Sequence, residues 1–299
     1  MRKVKIVTDS CADLTMEQLN RYGIDFAKMS TSCDGVESVA TLAWTENDVH
    51  CHYNKMRDGK RIITAQVSVE EFQRIFELYL KQDMDIVYIG CSSKQSGSVN
   101  TGYVVAKKLM AEHEGSKIIC IDSLNASIGI GMLAIEAAKM AINGATATEI
   151  EAHVLAIRKK VNQYVTVHSL DALKRAGRVK GSAAFFGNLM GVKPIIIADA
   201  NGDQAAYKKV KGRANSFNEI VAMLKESIID PESQTVYIAH GDCNAEELKT
   251  LTDMVKAQIP CKDIYTVYIG PIVGASIGPD AIGVWGFGKE VTYKNGDEK

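Results

Sequence analysis

Residues 86–102 have the sequence IVYIGCSSKQSGSVNTG, in which a short apolar run breaks into a cluster of hydroxyls and glycines. This pattern is typical of a buried parallel strand that ends at a ligand-facing turn, followed by the start of a helix. Serine hydroxyls and backbone N–H groups in such a turn can point at one position, where they bind an anion. The segment therefore predicts both a strand–turn–helix unit and a binding site.

Similar hydroxyl-bearing turns occur elsewhere in the first half of the chain, at VTDSC (7–11), TAQVS (64–68) and IDSLNAS (121–127). Several such turns in one half of a chain favour one shared site. The donors are neutral hydroxyls and amides, so we expect a polar head group held without a buried cation.

The composition indicates an ordinary globular protein. The chain has 299 residues, of which 46% are hydrophobic and 24% are charged. Its formal net charge of −1 gives no overall attraction to nucleic acid or to anionic membranes. No apolar run approaches the roughly 18 residues of a membrane span, so no integral membrane association is expected. Seven scattered cysteines and a first strand that begins without a signal-peptide region predict a cytoplasmic protein.

The order of elements predicts an α/β fold with two domains. In the first half, apolar strands near residues 5–7, 86–89 and 117–121 alternate with amphipathic helices, which is the pattern of a parallel sheet covered by helices. After about residue 160 more strands appear, and the turn DANG (199–202) joins two of them as a hairpin. We expect an N-terminal α/β domain over residues 1–160 and a C-terminal α+β domain with a mixed sheet over residues 161–299.

Eight short motifs follow one another along the whole chain at the spacing of one protein family. They are IVTDS (6–10), TAQVS (64–68), SSKQSG (92–97), IDSLNASIGIG (121–131), LDALKRAGRV (170–179), GNLMGVKP (187–194), HG (240–241) and GPIVGASIGP (270–279). In this ordered set the chain resembles the DegV family. The resemblance implies a protein without catalytic activity that binds one long-chain fatty acid between two α/β domains. It also implies that an ATP-dependent fatty-acid kinase is a possible partner, to which some members present the acid.

The resemblance assigns the carboxylate of the fatty acid to the hydroxyls of Thr64 and Ser96. Hydroxyls give a carboxylate charge-assisted hydrogen bonds without the desolvation cost of a buried cation. Judged alone, Thr64 fits equally well as the cap of the helix that follows Ser68. Gly97 follows Ser96, and a glycine there allows close approach of the backbone to a ligand. Ser92 and Ser93 are expected to shape the turn instead.

The acyl chain needs an apolar slot, and the segment AAFFGNLMG (183–191) offers bulky apolar side chains beside glycines. We expect Phe185, Phe186, Leu189 and Met190 to line an acyl tunnel, with ordinary core packing as the alternative for each. Burial contributes about 0.8 kcal/mol per CH₂, so a chain of about 16 carbons could bind tightly with few polar contacts.

Two predicted ligand-binding positions depart from the pattern of the family. Ser276 stands where kinase-associated members carry a histidine in the carboxylate network. Lys211 stands where the family has an arginine; it keeps the charge but lacks the planar fork of donors, which Arg213 could supply. The segment TAQV (64–67) also lacks a proline common after the glutamine. These departures bear on transfer to a kinase more than on binding.

Other motifs carry weaker signals. The letters of a dinucleotide fingerprint at 129–134 stand too far from the preceding strand for a tight turn, so no cofactor is expected. The stretch HCH (50–52) lacks a second ligand cluster, so it predicts a solvated loop and no metal site. The favoured function is therefore fatty-acid binding. The alternatives are a serine-dependent acyl hydrolase or transferase, and a protein-interaction module that responds to lipid.

Overall fold

The structure, a computed structural model, describes residues 2–181 and 191–295. The chain divides into two compact units, and both draw on segments from either side of residue 160. The first unit comprises Met1–Trp44, Ile62–Arg158 and Gly270–Ile272, and the second comprises Thr45–Arg61, Lys159–Ile269 and Val273–Lys299. The expectation of two domains that meet near residue 160 stays a prediction.

Strands and helices alternate along most of the described chain. The strands are β1 (Lys3–Asp9), β2 (Asp25–Ala27), β3 (Met29–Cys33), β4 (Val36–Ala40), β5 (Ile62–Ala65), β6 (Met84–Gly90), β7 (Ile118–Asp122), β8 (Val161–Thr166), β9 (Val179–Lys180), β10 (Val192–Ala198), β11 (Gln204–Lys211), β12 (Thr235–His240), β13 (Asp263–Tyr268) and β14 (Ile282–Phe287). The helices are α1 (Met16–Tyr22), α2 (Glu46–Arg57), α3 (Val69–Leu80), α4 (Ser98–Glu112), α5 (Ile128–Ile142), α6 (Ala147–Ile157), α7 (Asp171–Ala176), α8 (Arg213–Ser227), α9 (Ala245–Gln258) and α10 (Pro271–Ile277).

The first unit is built on a parallel sheet with the strand order β2-β1-β6-β7. Each neighbouring pair is parallel, so all four strands run in the same direction. The residues of β6 from Ile86 to Gly90 are buried, as the continuous apolar sequence requires of a strand covered on both faces. The carboxyl ends of these strands therefore share one edge of the sheet, and the predicted ligand-facing turn follows β6 at that edge.

A second, antiparallel sheet of the first unit has the order β4-β3-β5. Its central strand places Thr31 opposite both Ser38 of β4 and Thr64 of β5. Paired residues of antiparallel strands share a face, so these hydroxyls form one row across the sheet. Sequence patterning did not predict this sheet.

Helix starts in the first unit follow local capping chemistry. Thr15 and Gln18 form the reciprocal capping box that begins α1, and Thr146 and Glu149 do the same for α6. At α3 the Ser68 hydroxyl accepts the N–H of Glu71, but the Glu71 carboxylate accepts the N–H of Lys28 instead. Only half of a capping box forms at Ser68, because the Glu71 side chain makes a longer-range contact instead.

The second unit is built on a mixed sheet with the order β13-β12-β14-β8-β10-β11-β9. The turn at 199–202 joins β10 and β11 as an antiparallel hairpin, as predicted. Apolar residues of α8 and α9 pack with this sheet in one core cluster that includes Phe217, Leu224, Ile238, Leu251 and Val284. The predicted α/β class, with a parallel sheet and a mixed sheet, is confirmed.

None of the helices in the described residues is long and apolar enough to cross a membrane.

Candidate functional site

The turns after β1, β6 and β7 are joined at the carboxyl edge of the parallel sheet. The backbone N–H of Ser92 donates to the carbonyl of Asn125 at 3.0 Å, and the N–H of Cys91 donates to the Asp9 carboxylate at 3.0 Å. The Ser127 hydroxyl donates to the Asp13 carboxylate. The predicted convergence of these turns is therefore present in the first unit.

Most of the hydroxyls in these turns serve the protein itself. Ser10 is buried and bonds the backbone of Met29 and Ala40. Ser92 is fully buried, and its hydroxyl accepts the N–H of Lys94, so it shapes the turn as expected. Ser123 bonds Asn125 within its own turn. These side chains build the edge of the sheet and are not available to a ligand.

Ser96 differs from these serines because it is only half-buried. It lies at the end of the turn, where its backbone N–H donates to the carbonyl of Ser92 at 3.0 Å. Its hydroxyl lies 2.9 Å from the hydroxyl of Ser98 and accepts the N–H of Ser98 at 3.3 Å. Ser98 is fully buried, so Ser96 is the outer member of a hydroxyl pair.

Gly97 packs closely against the side chain of Gln66. A Cβ atom added at Gly97 would lie 2.1 Å from Gln66 Oε1, so there is no room for a side chain at this position. The amide nitrogen of Gln66 donates to the Thr101 hydroxyl at 2.8 Å. The N–H of Val67 donates to Ser98 Oγ at 3.2 Å. These two hydrogen bonds fasten the segment after β5 to the start of α4. The space left by the missing side chain of Gly97 is occupied by the side chain of Gln66.

Thr64 lies in β5, two residues before Gln66 on the same fastened segment. Thr64 is half-buried, and its backbone pairs with Thr31 of β3. The cap of α3 is Ser68, so Thr64 does not have the capping role that its sequence context also allowed. Among the residues that the structure describes, its hydroxyl has no hydrogen-bond partner.

Two buried carboxylates were not predicted as part of this edge. Asp9 accepts hydrogen bonds from the Tyr88 hydroxyl and from the N–H groups of Cys11 and Cys91. Burial raises the pKa of Asp9, and these hydrogen bonds oppose the increase. The second carboxylate is that of Asp13. The sequence contained a signal for both, because Asp9 and Asp13 are the first and last residues of the segment DSCAD (9–13), which follows the first strand.

Asp13 joins this edge to a distant part of the chain. Its carboxylate accepts the Ser127 hydroxyl and, at 2.9 Å, the N–H of Gly270. Burial raises the pKa of Asp13 to about 7, and the nearby charge of Asp9 adds to the increase. The carboxylate thereby fixes the first residue of the glycine-rich segment 270–279.

Ser276, predicted to bind the ligand, lies half-buried in α10. Gly274 of the same helix faces the ring of Tyr53, and a Cβ there would lie 2.5 Å from the Tyr53 hydroxyl oxygen. That hydroxyl donates to the carbonyl of Ile269 at 2.7 Å. Within the second unit, the ring of Tyr53 in α2 therefore explains why a glycine stands two residues before Ser276.

Lys211, the other predicted ligand-binding residue of the second unit, is exposed at the end of β11. Arg213 is already engaged. Its guanidinium donates to the Glu247 carboxylate at 3.1 and 2.8 Å and lies 4.8 Å from the centre of the Phe217 ring. These contacts fix Arg213 within the second unit, whereas Lys211 keeps an exposed charge.

The stretch HCH at 50–52 lies in α2, so the expectation of a solvated loop is wrong. His50 Nδ1 lies 2.7 Å from the Asp242 carboxylate, which also binds Arg57 at 2.7 Å. Within the described ranges no group of three or more His, Cys, Asp or Glu side chains is placed to hold a metal ion. Phe185, Phe186, Leu189 and Met190, predicted to line the acyl tunnel, lie outside the described residues.

Comparison with known proteins identifies the family. A family model described as uncharacterised proteins of the DegV family matches residues 3–288. A DegV domain-containing protein from Clostridium perfringens is 34% identical over 288 residues, which cover 96% of this chain and 98% of that protein. The chain belongs to the DegV family, as its ordered motifs indicated.

Solved structures of the family have the same fold. A fatty-acid-binding DegV protein from Thermus thermophilus matches with a TM-score of 0.85 and 21% identity, covering 96% of this chain and 100% of that chain. DegV from Bacillus subtilis, described as a fatty-acid-binding protein, matches with a TM-score of 0.83 and 22% identity, covering 96% and 100%. A DegV protein from Eubacterium eligens, loaded with heptadecanoic acid, has a TM-score of 0.80 and 21% identity over 96% and 100% of the chains.

Proposed function

We propose that this protein binds a long-chain fatty acid and that Thr64 and Ser96 hold its carboxylate. The observation that carries the proposal is the hydroxyl of Thr64, a half-buried residue; among the described residues this hydroxyl has no hydrogen-bond partner. A hydroxyl that no protein group engages keeps its proton free for a ligand acceptor. A carboxylate is the acceptor that the family resemblance indicates.

The segments that carry the two hydroxyls are fastened to each other. Val67 N–H donates to Ser98 Oγ at 3.2 Å, and Gln66 Nε2 donates to Thr101 Oγ1 at 2.8 Å. Both bonds join the residues just after Thr64 to the residues just after Ser96. A pre-organised pair of donors loses little freedom when a ligand binds, which favours affinity.

The chemistry of the pair suits an anion with a long apolar tail. A carboxylate accepts charge-assisted hydrogen bonds from hydroxyls, and these are stronger than neutral ones. The tail supplies about 0.8 kcal/mol per buried CH₂, so two polar contacts suffice to fix the head group. The descriptions of the solved family members as fatty-acid-binding proteins support this ligand class.

The remaining predicted site residues are also proposed to contact the fatty acid, and each can be tested separately. The acyl chain is proposed to contact Phe185, Phe186, Leu189 and Met190. Ser276 and Lys211 are proposed to add polar contacts to the head group. Substituting each residue alone and measuring the affinity for palmitate separates its contribution from that of Thr64 and Ser96.

Native mass spectrometry of the purified protein, followed by titration with palmitate, tests the function. Thr64→Val and Ser96→Ala should each weaken binding on the order of tenfold, since a hydrogen bond to a charged group is worth about 1.5–3 kcal/mol. Ser93→Ala is the matched control, because Ser93 is an exposed serine of the same turn. A protein that carries no fatty acid and rejects palmitate contradicts the proposal.

We further propose that the loaded protein presents its acid to an ATP-dependent fatty-acid kinase. The family resemblance supports this step, and Ser276 and Lys211 are the positions at which this chain departs from the kinase-associated pattern. Acyl phosphate should form only when kinase, ATP and loaded protein are combined. Ser276→His should raise the rate of formation without a comparable change in affinity for the acid.

A serine-dependent hydrolase is the less favoured alternative at this site. An activated serine needs a general base within hydrogen-bond reach. In the described part of the chain the Ser96 hydroxyl bonds only the Ser98 hydroxyl and N–H. Hydrolysis of a p-nitrophenyl acyl ester that is lost in Ser96→Ala would favour the hydrolase over the binding protein.

A further inference from the structure

We infer that Ser98 is a positioning residue that turns the hydroxyl proton of Ser96 outward, toward an acceptor on the ligand. The inference rests on the proposed function, and it deepens it by selecting the chemistry of the head group. Ser98 is the first residue of α4 and is fully buried, whereas Ser96 is half-buried. This difference in burial decides the direction of the bond between them.

The Ser98 hydroxyl has two neighbours among the described residues. It accepts the backbone N–H of Val67 at 3.2 Å, and its oxygen lies 2.9 Å from the oxygen of Ser96. Val67 N–H can only donate, so it uses one lone pair of Ser98 and leaves the Ser98 proton to be placed. The only acceptor offered to that proton in the described part of the chain is Ser96 Oγ.

The opposite direction would leave a buried donor unsatisfied. If the Ser96 hydroxyl donated to Ser98, the Ser98 proton would have no acceptor among the described residues, at a side chain with 0% exposure. An unpaired buried donor is costly, whereas an unpaired proton on the half-exposed Ser96 is not. The Ser98 hydroxyl therefore donates to Ser96.

Ser98 occupies both lone pairs of the Ser96 oxygen. This oxygen accepts the Ser98 hydroxyl at 2.9 Å and the Ser98 N–H at 3.3 Å. With both lone pairs engaged, Ser96 has only its proton left to offer. A chain of donors from Val67 through Ser98 to Ser96 also polarises each bond in turn, which strengthens the last donor. The site is thus set to receive a hydrogen-bond acceptor, such as an ionised carboxylate.

Three variants test this relay by titration with palmitate and with 1-hexadecanol. Ser98→Ala should weaken palmitate binding about fivefold to tenfold, and it should weaken 1-hexadecanol binding less, because an alcohol can donate as well as accept. Ser98→Thr keeps a hydroxyl and should restore palmitate binding. Thr101→Val is the matched control: it removes the other hydrogen bond between the same segments, at Gln66, without touching Ser96.

A double-mutant cycle separates positioning from a structural role. If Ser98 acts through Ser96, then Ser98→Ala should change palmitate affinity by less than about twofold in a protein that already carries Ser96→Ala. An equal loss in both backgrounds overturns the relay, even if Ser98→Thr fails to fold. Wild-type protein that binds no palmitate contradicts the proposed function instead. Wild-type binding together with undiminished binding by Ser98→Ala contradicts the relay alone.

Discussion

The carboxylate of Asp13 accepts a hydrogen bond from the backbone N–H of Gly270 at 2.9 Å, between residues 257 positions apart in the sequence. The Ser127 hydroxyl donates to the same carboxylate, so a single side chain joins the turn after β1, the start of α5 and the segment before α10. Burial raises the pKa of Asp13 to about 7. This carboxyl group therefore changes charge near neutral pH in the folded protein.

We expect Asp13→Asn to flatten the pH dependence of stability. The pKa of about 7 in the folded state lies above an unfolded value of about 3.9, so between these limits the folded protein binds more protons. The free energy of unfolding of the wild type should fall as pH rises from 5 to 8, by on the order of 2 kcal/mol from this group. Urea denaturation of both proteins at pH 5 and pH 8 measures the difference. Identical slopes would contradict the assignment.

His240 should contribute a pH dependence of the opposite sign. Burial lowers the pKa of His240 to about 4, below an unfolded value of about 6.5, so the folded protein keeps this ring neutral. Stability from this group is lost as pH falls from 6.5 toward 4. His240→Asn should lose less stability than the wild type between pH 6.5 and 4.5, by on the order of 2 kcal/mol. His52 is present in both proteins and cancels in the comparison.

Gly274→Ala should destabilise the second unit through Tyr53. The added Cβ would lie 2.5 Å from the Tyr53 hydroxyl oxygen, which is itself held by the carbonyl of Ile269. Overpacking of this kind costs about 1–3 kcal/mol, measured as a lower midpoint of thermal unfolding. Tyr53→Phe removes the nearest atom, so Gly274→Ala should cost less in a Tyr53→Phe background. Additive losses would show that the ring hydroxyl is not the obstacle.

Gly97→Ala should weaken fatty-acid binding by displacing Gln66. The Cβ would lie 2.1 Å from Gln66 Oε1, and the backbone of Gly97 has an ordinary helical-side φ of −78° that alanine also adopts. The obstacle is thus the Gln66 side chain, which the added methyl group would push aside. Palmitate affinity should fall by about threefold to tenfold and should recover when Gln66→Ala is added. No recovery would mean that Gly97 itself faces the ligand.

The parallel sheet could be predicted because its signals are local. A buried strand between helices needs a continuous apolar run, and Ile86–Gly90 of β6 has one. The cap of α1 is also local, because Thr15 and its partner Gln18 lie within four consecutive residues. Such patterns require no knowledge of distant partners, and they located β1, β6 and β7 along with the turn that carries Ser96.

Helix α2 shows where local patterning failed. Only Val49, Tyr53 and Met56 are buried in it, a narrow stripe among polar residues, so hydrophobic periodicity was weak. Its start was nonetheless signalled by Thr45 and Asp48, which form a reciprocal capping box. The start of α2 could therefore have been predicted from the pair Thr45 and Asp48, but not from the pattern of hydrophobic residues.

The roles of the individual serines could not be read from sequence. Ser92, Ser96 and Ser98 stand in one short motif, yet two are fully buried and serve the backbone, and one is half-buried. Burial depends on long-range packing, here of the segment after β5 against α4, joined by Val67 and Ser98. The division between structural and ligand-facing hydroxyls is therefore a property of tertiary structure.

The placement of α2 limits how this chain can be shortened. Tyr53 and Arg57 of α2 find their partners at Ile269, Asp242 and Asp280, all in the last third of the sequence. A fragment that ends near residue 160 would retain α2 but lose every one of these partners, and the complementary fragment would expose the glycines that receive Tyr53. No single cut of the backbone separates the two units, because each is built from discontinuous segments of the chain.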